Sequence, residues 1–155
     1  MRLLAAALLA TTLAACTGDA TGARPADLVG LWARDEVQSG TVQLHTIESL
    51  ELRAEGVYSW TTAVYGPGGR EADGLLDTFT HGGDWAVRDG RLALRTLHGM
   101  GWRVESPGGY QADFVAEWSP RHRIRLDGDR LQLTYLPRPE ESSVVRTLVF
   151  HRVYE

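Results

Sequence analysis

From Ala26 onward, apolar and polar residues alternate in short runs. Trp85 and Val87, Leu92 and Leu94, Ile124 and Leu126, and Leu131, Leu133 and Tyr135 alternate mostly with polar or arginine positions. Tyr110, Ala112, Phe114, Ala116 and Trp118 make an apolar parity against Gln111, Asp113 and Glu117. A period of two is the signature of a strand with one buried face. Strands are therefore predicted at Leu28–Asp35, Thr41–Arg53, Tyr58–Tyr65, Leu75–Thr80, Trp85–Arg88, Leu92–Thr96, Tyr110–Trp118, Ile124–Leu126, Leu131–Leu136 and Val144–Tyr154. Glycine and proline clusters punctuate them: Ala54-Glu55-Gly56, Gly66-Pro67-Gly68-Gly69, Gly82-Gly83, Asp89-Gly90, Asp127-Gly128-Asp129, and a loop from His98 to Gly109. Asp89-Gly90 is a strong two-residue hairpin signal. No convincing amphipathic helix interrupts the series. Burying one face of so many short strands without exposed edges predicts an all-β fold, an antiparallel up-and-down β-barrel of about 8–10 strands.

Two stretches carry more than periodicity. In Leu28-Val29-Gly30-Leu31-Trp32, residues 28, 30 and 32 share one strand face, with glycine leaving room beside a large buried ring. The same parity puts Leu148, Phe150 and Arg152 together on the closing strand. In Thr41–Arg53, the parity that turns Leu44, Leu50 and Leu52 inward also turns Thr46 and Glu48 inward. An unpaired buried carboxylate is costly, so Glu48 is expected to be paired, to sit in a wet cavity, or to be turned outward by a β-bulge near Thr46–Ser49.

The first sixteen residues follow a different rule. Arg2 precedes the apolar run Leu3–Leu13, which is too short for a stable membrane span. The run ends in Leu13-Ala14-Ala15-Cys16, which resembles the bacterial lipobox, and Cys16 is the single cysteine of the chain. The resemblance implies a lipoprotein signal peptide over 1–15 and lipidation at Cys16; the small, polar residues that follow suit a flexible tether over 16–25, which leaves 26–155 for the barrel domain. It implies attachment to the bacterial cell envelope through the N-terminal lipid. Thr17, in place of aspartate, resembles outer-membrane sorting where the cell has an outer membrane.

Composition removes several functions. The 155-residue chain has a formal charge of −4 and gives no basic footprint for nucleic acid. All 16 basic residues are arginine, so lysine Schiff-base chemistry is excluded. With one cysteine there is neither an intrachain disulfide nor a thiolate metal cage. His45, His81, His98, His122 and His151 lack the close spacing of metal sites and are expected on the surface or in loops. No nucleophile elbow occurs, and the adjacent pairs Asp35-Glu36 and Glu140-Glu141 do not make a glycosidase. No enzyme activity, metal or cofactor is expected. Arg121, His122, Arg123 and Arg125 form the one basic cluster, expected as a solvated outer strip or as a contact for anionic headgroups or an acidic partner.

The opening strand also resembles a family. Gly30-x-Trp32 at the start of the folded region is similar to the first-strand signature of lipocalins and of bacterial lipocalin-like lipoprotein domains. The closing run Leu148-Val149-Phe150-His151-Arg152-Val153 is similar to their arginine-containing last strand. The resemblance implies that Arg152 (or Arg146) covers Trp32 at the closed end of the barrel. It also implies a small apolar or amphipathic ligand in the interior, with Thr46, Glu48, Tyr58, Trp60, Thr62, Phe79, Tyr110 and Phe114 as cavity candidates. The alternative is a non-enzymatic interaction module with a filled barrel, engaging an envelope protein through its loops or the Arg121–Arg125 strip.

Overall fold

The computed structural model of the protein describes residues 23–38, 40, 42–67, 74–104, 106–112, 114, 116–137 and 144–154. The expected signal peptide, the lipidation expected at Cys16 and most of the expected tether lie outside these residues. The chain begins with one helical turn, α1 (Pro25–Leu28), and continues as strands β1 (Gly30–Gln38), β2 (Leu44–Leu52), β3 (Val57–Tyr65), β4 (Leu75–Arg88) and β5 (Arg91–Arg103). It then runs through β6 (Ser106–Ala112), β7 (Ser119–Asp127), β8 (Arg130–Tyr135) and β9 (Arg146–Val153). Eight of these close on themselves in the order β1-β2-β3-β4-β5-β7-β8-β9, with β9 pairing back onto β1 and every pairing antiparallel. The protein is a closed antiparallel barrel, and β6 is a flap paired with β5 alone.

The turns form for the reasons visible in the sequence. At Asp89-Gly90 both residues have positive φ, 50° and 68°, as a two-residue hairpin with the right twist requires. Gly128 lies at φ 56° in the β7–β8 turn.

Four boundaries differ from the pattern reading. Leu28 ends α1 instead of opening a strand, yet it is still buried against the core. β4 runs unbroken through Gly82-Gly83, where the register with β5 shifts. A Cβ on Gly83 would stand 2.1 Å from the Arg95 carbonyl oxygen, so glycine here admits the neighbouring backbone rather than ending the strand. β5 likewise continues through the predicted loop at His98. Its Gly99 and Gly101 are covered by rings, with a Cβ falling 2.5 Å from Phe114 and 2.3 Å from Tyr110. Finally, the strand predicted over Tyr110–Trp118 stops at Ala112, and β7 starts at Ser119, before the strand predicted from Ile124. Pro120 is tolerated there because strand starts can spare a backbone donor.

The barrel is filled towards the end that α1 covers. Trp32, Leu50, Leu52, Tyr58, Leu92, Ile124, Leu131, Leu133 and Phe150 are essentially inaccessible, and they belong to one contiguous cluster with Leu28. The Arg152 guanidinium lies 4.2 Å from the Trp32 ring centre. It donates to the carbonyls of Val29 at 2.8 Å and Asp27 at 2.6 Å, while the Trp32 indole donates to Leu28 at 2.8 Å. A Cβ on Gly30 would meet that guanidinium at 2.7 Å, and Gly30 has φ 140°. Tryptophan, glycine and arginine thus form one plug, sealing α1 onto the barrel.

Candidate functional site

Strand register stacks the inward side chains in rows. Nearest α1 is Gly30, Leu52, Tyr58 and Gly83; next come Trp32, Leu50, Trp60 and His81; then Arg34, Glu48, Thr62 and Phe79. Each row is more polar than the one before. The end of the barrel opposite α1 is therefore written for a different purpose from the packed end.

Glu48 sits in an unbroken register on both sides, so no bulge turns it outward. It is 7% exposed, and its carboxylate lies 3.0 Å from the Arg34 guanidinium and accepts the Trp60 indole N–H at 3.1 Å. Arg34 also contacts Glu36, which receives Arg146 from β9 at 3.1 Å. The pairing resolves the choice that parity left open. It also fixes the Trp60 ring in orientation. Thr46 is buried beside Glu36 in the β1–β2 register.

Two adjoining cavities occupy this end. One, of about 370 Å³, is lined by Glu48, Trp60, Thr62, Phe79, His81 and His122 among others, with Tyr135, Arg146 and Leu148 completing the wall. The other, of about 320 Å³, shares Trp60, His81 and His122 and extends to Thr96, Phe114 and Glu117. Of the predicted positions, Glu48, Trp60, Thr62 and Phe79 line the first and Phe114 the second. Tyr110 stands behind them, stacked on Phe79 at 6.0 Å and 6° between planes. Thr46 and Tyr58 are buried but line neither cavity.

His81 and His122 overturn the expectation that the histidines lie on the surface or in loops. Both face the interior, flanking Trp60 at ring distances of 5.7 and 5.8 Å. Burial pushes each imidazole pKa down to about 4, helped for His81 by His98 and for His122 by His81 and Arg121. Both rings are thus neutral at pH 7. His81 Nδ1 is 3.1 Å from the Tyr58 hydroxyl, which is 2.6 Å from Thr96 Oγ1. Burial also raises the Tyr58 pKa, keeping that hydroxyl protonated. Tyr135, on the far wall, accepts from Arg121 at 2.7 Å. Arg121 is therefore not part of an outward strip of three; Arg123 and Arg125 are exposed. The parity signal for His81 was lost when the sequence was broken at Gly82-Gly83, and His122 was hidden inside its arginine-rich surroundings.

The two histidines make a pH prediction. Each folded pKa lies near 4, below the ordinary value near 6.5, so the unfolded chain binds more protons between those values. Stability is fully present above about pH 6.5 and falls as pH drops through 6.5 towards 4, by roughly 1–3 kcal/mol per half-buried ring. Urea midpoints at pH 7.5, 5.5 and 4.5 should fall in that order. His81→Phe with His122→Phe should remove most of this fall; an unchanged slope would show that other groups carry it.

Among the described residues no three His, Cys, Asp or Glu side chains gather as a metal ion would need. No protein-family model matches the chain, and no curated protein matches its sequence.

Proposed function

We propose that the protein is a lipid-anchored, lipocalin-like barrel of the bacterial cell envelope that binds a small, partly apolar molecule in the half of the barrel away from α1. One observation supports the binding reading: the interior is packed from Trp32 and Phe150 as far as Trp60, and beyond Trp60 it opens into cavities lined by His81 and His122. Each cavity falls at the lower end of the volumes that small-molecule sites occupy, about 300–1,000 Å³. Their walls mix rings with a few fixed polar groups, as such sites do. A barrel filled throughout would have favoured the interaction-module alternative. The family reading draws on the plug of Gly30, Trp32 and Arg152, and the anchor reading on Leu13-Ala14-Ala15-Cys16. Binding, not catalysis, is the role proposed.

Native mass spectrometry of the protein extracted from its own membrane tests both halves. The expected spectrum shows a mature mass beginning at a diacylated Cys16, plus a small molecule lost on collisional activation. Cys16→Ser should leave an uncleaved precursor or release a soluble chain. Unchanged membrane partitioning and an unchanged mature mass in that variant would reject the anchor. A ligand-free spectrum that stays ligand-free on incubation with an envelope extract would count against binding.

A further inference from the structure

The cavity walls carry a chemistry more specific than "partly apolar". Trp60 is held by Glu48, and its ring lies 25° from the plane of His81. Phe79 continues the same wall, 5.8 Å from His81, with Phe114 at 6.3 Å from Phe79. Gly99 and Gly101, on the paired strand β5, let Phe79, Phe114 and Tyr110 pack directly against its backbone. The stacked pair Trp60 and His81 favours a flat ligand over a flexible chain, because stacking rewards planarity and a rigid ring loses little conformational entropy.

The polar groups narrow the class further. Around the larger of the two cavities the charges are already engaged with one another: Arg34 with Glu48 and Glu36, and Arg146 with Glu36. The two imidazoles are neutral, so they recognise hydrogen-bonding edges and not charge. His122 Nδ1 is sealed from solvent and has no hydrogen-bond partner among the described residues. A sealed lone pair is cheaper than a sealed N–H, which places the His122 proton on Nε2. His81 Nδ1 is tied to Tyr58, so its Nε2 is likewise the edge left for a ligand. Resting on the binding reading above, we infer that the ligand is an uncharged, planar aromatic or heteroaromatic molecule carrying a hydrogen-bond acceptor, a carbonyl or ring nitrogen, that takes the His122 Nε2–H.

Three probes separate the possibilities: 9-fluorenone, which is planar with a carbonyl acceptor; fluorene, the same skeleton without it; and decan-1-ol, a neutral chain. Binding is read by tryptophan fluorescence quenching of the protein made from its full chain and held in lipid nanodiscs, with empty nanodiscs subtracted. Fluorenone should bind roughly 10-fold tighter than fluorene, the worth of one good hydrogen bond, and tighter than decanol. In His122→Phe the fluorenone preference should vanish while fluorene binding persists. The wild-type ratio stands whether or not that variant folds. Equal affinity for fluorenone and fluorene, or tighter binding of decanol, overturns the proposed class and leaves the cavity a binding site. Failure of all three probes to quench overturns both.

Discussion

Trp32→Ala should lower the stability of the barrel by about 3–5 kcal/mol, the range for emptying a large buried aromatic site. For a domain of this size that corresponds to roughly 10 °C or more in Tm. The ring is fully buried, donates to the Leu28 carbonyl and carries the Arg152 guanidinium on its face. Arg152→Ala should cost about 2 kcal/mol, because the guanidinium also holds the carbonyls of Val29 and Asp27. The double variant should be less destabilised than the sum, by the roughly 1–2 kcal/mol of the desolvated cation–π contact that is lost only once. Urea melts of the four proteins give this directly. Additive losses would mean that the plug is two independent contacts and not one unit.

Glu48→Gln should be nearly as damaging despite its small change in shape. Glutamine still offers an oxygen to the Trp60 indole, but it leaves Arg34, whose side chain is 9% exposed, leaning on Glu36 alone. Removing one member of a buried ion pair costs about 3–5 kcal/mol in general; the surviving Glu36 contact places this case near 3. Arg34 Nε is already sealed without a partner among the described residues, so the guanidinium has little reserve. Adding Arg34→Met to Glu48→Gln should recover at least half of the loss, since the stranded charge goes with it. Chemical denaturation of the single and double variants is the measurement. A loss below about 1 kcal/mol for Glu48→Gln would show that water already screens the pair.

How far the sequence could be read depended on whether a signal was local. Asp89-Gly90 and Asp127-Gly128 carry their turn geometry in their own backbones, and both hairpins were legible. The plug was legible because Gly30, Trp32 and Arg152 each keep strand parity. Glu48 was legible as an anomaly: its parity demanded burial, and burial demanded a partner. That the partner is Arg34 was not visible, because it depends on the β1–β2 register fourteen positions away. Two of the misread segments, β4 and β5, share one cause. Gly82, Gly83, Gly99 and Gly101 resemble breakers when viewed along the chain, yet they serve contacts across it. Reading them as breaks cut β4 and β5 short and removed His81 from the interior row.

The seam between first and last strands gives the barrel a direction in time. β9 meets β1 through only three paired positions, Leu31 with Val153, Trp32 with Arg152 and Ala33 with His151. Every other neighbour around the ring is joined by a local hairpin or, for β5 and β7, by the short excursion through β6. Local hairpins need little loop closure, whereas the seam must bring together the two extremes of the domain. A chain delivered N-terminus first can assemble a curved open sheet but cannot shut it until β9 arrives. Until then Trp32 lacks its cover and both edge strands remain unpaired, the condition in which sheets join the wrong partner. Closure of the ring therefore waits on β9, whose His151, Arg152 and Val153 make the seam.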